Sequence, residues 1–164
     1  MPAYDFRTPR LYVDAPLHEA ATVPLDRSQA HYLTGVMRLK SGASVLVFNG
    51  RDGEWQAAIR AEKRAAVLQI GTQTRPQIPP GDLHYLFAPL KSARLDYMVQ
   101  KAVEMGASRL QPVLTRHGQI ARVNTARMRA NAIEAAEQCG ILTLPDIAEP
   151  DALARVLGGF EPQR

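Results

Sequence analysis

Pro76, Pro79, Pro80 and Gly81 crowd the middle of the chain in Arg75-Pro-Gln-Ile-Pro-Pro-Gly-Asp82, and neither a helix nor a central strand runs through such a segment. Proline fixes its own φ and drives the preceding residue toward extended backbone, so this run reads as a stiff connector. A chain of 164 residues is thereby cut into two pieces, expected at residues 1–75 and 82–164 with a linker at 76–81. Each piece is small enough to have a thin core.

The hydrophobic pattern differs on the two sides of the cut. In the first piece, Leu11–Val13 reads as a brief strand, and Val45–Phe48 and Trp55–Ile59 flank Asn49-Gly50-Arg51-Asp52-Gly53-Glu54. Asn-Gly and Asp-Gly tolerate positive φ, so these two runs form a hairpin with a slightly long loop. Ala66–Ile70 offers a further strand, and a short helix starting near Ser28, capped by Asp26 or by Ser28, is expected before Gly42. Short strands at this spacing argue for a small barrel or a sandwich.

In the second piece, His84–Leu90 is an apolar run fit for a strand buried on both faces. Leu95, Met98, Val99, Ala102 and Val103 then recur along one side of a helix that ends at Gly106. Leu110–Leu114 is a second strand, Asn124 caps a helix carrying Met128, Ala132, Ala135 and Ala136 up to Gly140, and Pro145–Ala148 and Asp151–Leu157 supply a third strand and another helix. Alternation of this kind builds an open parallel sheet.

Charge is unevenly spread. Residues 91–129 hold eight Lys or Arg against Asp96 and Glu104, whereas residues 130–164 hold two Arg against six acids. A cationic stretch beside an acidic one suits a polyanion such as nucleic acid, although an arginine-rich solvated helix surface accounts for the same counts. No apolar run approaches membrane-spanning length, the N-terminus lacks a signal peptide's apolar stretch, and Cys139 is the single cysteine, so a soluble cytoplasmic protein without disulfides is expected. GxGxxG, a Walker lysine loop, HExxH and GxSxG are all missing, and His18, His31, His84 and His117 are scattered, so no metal is expected. Cys139, near a helix C-terminus, reads as a small packing residue.

Ligands of open α/β sheets bind beyond the carboxyl ends of the strands. Lys91-Ser92-Ala93-Arg94 follows the first strand and Thr115-Arg116-His117 the second, so cations there would form a positive rim. The charges of Lys91 and Arg94 oppose the dipole of the helix they open, which favours a compensating role over decoration. Asp96, Gln100 and Glu104 share one helix face with Lys101 a step round, and Glu134, Glu137 and Gln138 sit on the next helix; a solvated surface explains both sets equally well. Glu104 and Glu137 are not read as an acid/base dyad.

Taken in order, Pro9-Arg10-Leu11-Tyr12, Val36-Met-Arg-Leu-Lys-Ser-Gly42 and Val47-Phe-Asn-Gly50 resemble the first domain of the small-subunit ribosomal RNA methyltransferase E family. Lys91–Arg94, Val99-Gln-Lys-Ala-Val-Glu-Met-Gly106, Pro112–Thr115 and Ala135-Ala-Glu-Gln-Cys-Gly140 resemble its catalytic domain. The resemblance implies a PUA-like β-barrel followed by the N-terminal part of a SPOUT-type α/β knot domain with a parallel sheet. It implies methyl transfer from S-adenosylmethionine to N3 of a uridine in 16S ribosomal RNA by a homodimer. Family members carry a GPEGG-like loop and an LGxRILRxETA-like segment that hold the cofactor; the sequence to Arg164 has neither, so residues 1–164 are expected to bind no cofactor and to be inactive alone. Thr115-Arg116-His117 departs from the family's Thr-Glu-Arg, and Ile141 stands where an arginine commonly follows the glycine.

Methylating N3 requires loss of the imide proton and positive charge near O2 and O4. Arg94 is the candidate for that charge, and the general base is unassigned. Arg10, Arg38, Lys40, Lys91 and Lys101 are the candidate RNA contacts, acting on the backbone rather than reading sequence. Gln100, Glu104, Glu137 and Gln138 belong to family motifs without an assigned role. Two other readings stand beside the enzyme: a non-catalytic RNA-binding adaptor, and a flavodoxin-like small-molecule binder, which lacks a phosphate loop.

Overall fold

The computed structural model describes residues 7–61, 65–116, 118 and 122–159. The chain divides into two compact units, Met1–Ile78 and Pro79–Arg164.

The first unit is a five-stranded sheet with strand order β1-β3-β4-β5-β2: β1 (Arg10–Tyr12), β2 (Thr22–Pro24), β3 (Ser44–Phe48), β4 (Glu54–Ala61) and β5 (Ala66–Arg75). β3 and β4 form the expected antiparallel hairpin, and β1 lies parallel to β3 with Leu11 opposite Val47. Alternating inward residues explain the core, where Val45, Val47, Ile59, Leu68 and Ile70 pack with Leu11, Val13 and Leu33. β5 runs five residues past the expected Ala66–Ile70, because Gln73 and Arg75 still pair with Trp55 and Glu54 across two register shifts. β2 is a strand the sequence reading missed; at three residues around Pro24 it is too short for alternation to show.

Helix α1 (Arg27–His31) follows a capping box in which the Asp26 carboxylate accepts from the Gln29 amide and the Gln29 side chain accepts from the Asp26 amide. A single π-turn, Tyr32–Val36, continues it and drives Leu33 into the core. The Asn49–Glu54 loop is held from inside: Asn49 accepts from the amides of Arg51 and Asp52, and Asp52 accepts from the Leu17 amide at 2.9 Å. Gly53 has φ +83°, and a Cβ there would collide with the Arg75 carbonyl oxygen, so the position admits only glycine.

In the second unit β6 (His84–Phe87), β7 (Arg109–Leu114) and β8 (Asp146–Ile147) lie parallel in that order, and β9 (Asp151–Ala152) also pairs parallel with β7. Helices α2 (Ser92–Glu104), α3 (Thr125–Cys139) and α4 (Leu153–Gly158) alternate with them. Leu95, Val99 and Val103 of α2, and Met128, Ala132, Ala135 and Ala136 of α3, form the buried stripes. Asn124 caps α3 by accepting from the Arg127 amide, and Gly140 ends it in the left-handed region.

Three features depart from the sequence-based expectations. β6 is not buried on both faces: it is the edge strand of its sheet, and Tyr85 is 39% exposed. Cys139 is exposed rather than packed, because it is the last residue of α3, beyond the final buried pair Ala135–Ala136. The expected helix from Asp151 begins instead at Leu153, since Asp151 and Ala152 extend the sheet.

Candidate functional site

Arg10, a candidate RNA contact, faces the interior. Its side chain is 2% exposed and its Nε donates to Glu54 Oε2 at 2.8 Å, while the guanidinium lies 4.4 Å from the Phe48 ring centre. Glu54 also accepts from Arg75 Nε at 2.9 Å and Nη2 at 2.6 Å, and from the Thr74 hydroxyl at 2.9 Å. Burial works against its charge, but the hydrogen bonds from Arg75, Arg10 and Thr74 outweigh it and hold the carboxyl below the ordinary glutamate value. This group ties β1 to β4 and β5, so Arg10 is a structural charge and leaves the set of RNA candidates.

Arg38 and Lys40 behave differently. Both are exposed, and neither has an ion-pair partner among the described residues. Their turn is pinned at each end, by the Leu39 amide on the Leu33 carbonyl at 2.9 Å and the Gly42 amide on the Ile59 carbonyl at 2.7 Å. Arg38 has φ +55°, a conformation uncommon for a long side chain and found where the surrounding structure enforces it. The π-turn before it ends in the Met37 amide donating to the Tyr32 carbonyl, so the strained arginine is presented from a rigid base.

In the second unit the candidate cations lie on α2. Lys91 is its N-cap residue and Arg94 is in its first turn, both exposed, so the placement read from sequence is the one observed. They do not share a cavity. Lys91 lines a cleft of about 390 Å³ between the starts of α2 and α3, with Ser92, Asp96, Arg122 and Arg127. Arg94 lines an open, apolar groove of about 560 Å³ with Leu83, Tyr85, Tyr97, Lys101 and Met105. Lys101 is partly neutralised by Glu104, at 2.6 and 2.8 Å, and its ammonium stands 5.5 Å from the Tyr97 ring centre; the Glu104 hydrogen bond raises its pKa.

The motif carboxylates and amides do not gather into one centre. Glu104 serves Lys101, Gln100 is half-buried on α2, Glu137 is half-buried on α3, and Gln138 is exposed with its amide 3.5 Å from Glu134. Asp96 turns toward α3 at the surface, accepting from Arg127 at 3.0 and 2.6 Å and from Asn131 at 2.7 Å. The Arg127 hydrogen bonds lead in lowering its pKa. Arg116 is exposed at the end of β7; His117, expected beside it, lies outside the described residues. Sequence reasoning missed Arg122, which stands in coil before α3 where no periodicity marks it; a count of cations flanking the helix starts is the signal that would have found it.

Among the described residues no group of His, Cys, Asp and Glu could hold a metal ion, and no helix is long and apolar enough to cross a membrane. The cleft between the starts of α2 and α3 does not fit S-adenosylmethionine: with Lys91, Arg122 and Arg127 against the single carboxylate of Asp96, its lining is net positive, the wrong sign for a sulfonium.

Residues 77–163 match the family described as the RNA methyltransferase domain, and residues 25–71 match the RNA methyltransferase PUA domain. Ribosomal RNA small subunit methyltransferase E of Rickettsia conorii is 31% identical over 140 residues, covering 84% of this chain and 57% of the relative. The Synechocystis protein of the same name is 29% identical over 132 residues, covering 79% of this chain and 44% of its own. The chain thus spans about half the length of the curated relatives it matches. Ribosomal RNA small subunit methyltransferase E from Neisseria gonorrhoeae, solved bound to S-adenosyl methionine, superposes with a TM-score of 0.85 at 24% identity over 96% of this chain and 67% of that one. A putative methyltransferase from Legionella pneumophila, solved with the cofactor SAM, gives 0.83 at 23% identity over 94% and 67%. The expected fold, a PUA-like domain followed by part of a SPOUT-type α/β domain with a parallel sheet, is therefore the one found. The chain belongs to the RNA methyltransferase domain family that includes the ribosomal RNA small subunit methyltransferase E proteins.

Proposed function

We propose that residues 1–164 form the RNA-docking part of a ribosomal RNA methyltransferase that, with S-adenosylmethionine as methyl donor, modifies N3 of a uridine in 16S ribosomal RNA. The observation that carries this reading is the exposed Lys91–Arg94 turn, without an ion-pair partner among the described residues, inside the stretch that matches the RNA methyltransferase domain. The pinned Arg38–Lys40 turn in the first unit supplies further cations for the RNA backbone.

On the substrate side the chemistry follows from charge. An imide nitrogen becomes nucleophilic only as its proton leaves, and the negative charge then spreads onto O2 and O4. Arg94, permanently charged with directed donors, would stand opposite that charge, while Lys91 holds phosphate. A uridine within folded RNA has to be splayed out to reach such a site. Arg94 and Lys91 thus act on the RNA side of the reaction rather than on the methyl donor.

The reading includes action as a homodimer, and Leu83, Tyr85, Leu90, Tyr97 and Met105 give the second unit an exposed apolar strip for such a contact. Four measurements test the whole. Residues 1–164 should bind 16S RNA with an affinity that falls steeply with salt, show no heat on titration with S-adenosylmethionine, and sediment as a dimer, while the R. conorii relative run alongside methylates the same RNA. Affinity that is flat between low and physiological salt overturns the docking role. Methylation by the R. conorii relative at a position other than uridine N3 overturns the substrate assignment.

A further inference from the structure

The cleft between the starts of α2 and α3 carries more cationic charge than the structure uses. Asp96 is fully engaged by Arg127 and Asn131, so Arg127 is spent within the fold. Lys91 and Arg122 are left exposed on the same cleft, and neither has an acidic partner among the described residues. The Ser92 hydroxyl adds a donor on the same cleft. Lys91, as the N-cap residue, has no acceptor to offer, so the first amides of α2 go without the side-chain cap that Asn124 gives α3.

We propose that this cleft is a phosphate-binding site and that its occupant is a phosphodiester of the substrate RNA, with Arg122 and Lys91 as its charged contacts and Ser92 as a neutral donor. The fixed fork of Arg122 suits two phosphate oxygens at once, and Lys91 meets them as a point charge. Asp96 and Arg127 form the wall: their mutual pairing keeps the carboxylate from repelling the anion. A cleft of about 390 Å³ has room for a phosphate with its ribose rather than for the anion alone. This inference rests on the RNA-docking reading and adds to it Arg122.

The test uses residues 1–164 and two probes, inorganic phosphate alone and a single-stranded RNA oligonucleotide. Both should shift the backbone amide signals of Ser92 and Ala93. Arg122→Ala should weaken RNA binding about tenfold and make the salt dependence shallower by about one contact, with Arg122→Lys recovering most of the loss. Arg155→Ala removes one exposed cation from the same unit, where Arg155 pairs with Asp151, and should leave affinity unchanged. Equal effects of Arg122→Ala and Arg155→Ala would overturn the assignment while leaving RNA docking intact. Phosphate shifting the cleft amides when RNA does not would make this a free-anion site and overturn the RNA occupant. No RNA affinity in the parent chain would sink the docking reading along with it.

Discussion

Both units hold a carboxylate between an arginine and other donors, yet the two arrangements do different jobs. In the first, Glu54 sits between Arg10 and Arg75 with only 3% of its side chain exposed. In the second, Asp96 joins Arg127 and Asn131 at the surface, with the arginine side chain 58% exposed. A buried pair has surrendered its hydration, so removing one partner strands the other in a medium that cannot solvate it. At the surface, water takes over whatever the partner provided. The hydrogen-bond lengths are nearly the same; burial sets the consequence.

Glu54→Gln is therefore the harshest test of this contrast. It leaves Arg10 buried over the Phe48 ring without its counter-charge and should cost about 3–5 kcal/mol. Trp55 is the only tryptophan and lies in the first unit, so its fluorescence in a denaturant series reads the loss directly. Replacing the pair by hydrocarbon, Arg10→Met with Glu54→Leu, should recover much of it, because it is the unpaired charge that is expensive. Acid gives a second handle. The folded-state pKa of Glu54 is depressed, so its contribution is complete above the unfolded glutamate value and disappears as pH falls through the folded one. Asp52 and Asp26, depressed by amide hydrogen bonds from Leu17 and Gln29 respectively, act in the same direction. The Trp55 transition should thus weaken on acidification, with a shallower slope in Glu54→Gln; an unchanged slope would remove Glu54 from the account.

Asn124→Ala should come next, at about 1 kcal/mol. Asn124 carries no charge, yet its side chain satisfies the Arg127 amide at the head of a fifteen-residue helix. Helicity lost on heating, followed by circular dichroism, measures it. An effect smaller than that of breaking the exposed ion pair one turn along would mean that the surface charge pair outweighs the neutral cap.

These features were unequally visible in the sequence. Helix α3 could be read almost residue by residue, because Asn124, the buried stripe at Met128, Ala132 and Ala135, and Gly140 all act locally. The hairpin was equally legible, since Asn49 and Asp52 close their own loop. What escaped depended on distance along the chain. Arg10 meets Glu54 across 44 residues, and no local pattern separates a buried arginine from one awaiting phosphate. Lys91 and Arg94 were placed on the correct turn, but only the packing of α2 against its neighbours assigns them to separate cavities. Tyr85 looked like core because an edge strand and a central strand share one composition.

The gentlest perturbation is Asp96→Asn. It keeps the shape of the contact, removes the counter-charge from Arg127 and leaves Asn131 a carbonyl to bond. Because the pair is exposed, the thermal transition should move less than in Asn124→Ala, and what shift there is should shrink further as salt is added. The same substitution leaves the cleft more positive, so RNA should bind the variant somewhat more tightly at low salt and equally at high salt. Loss of stability on the scale of Glu54→Gln would show that Asp96 is desolvated in solution, and the contrast between the two units would then disappear.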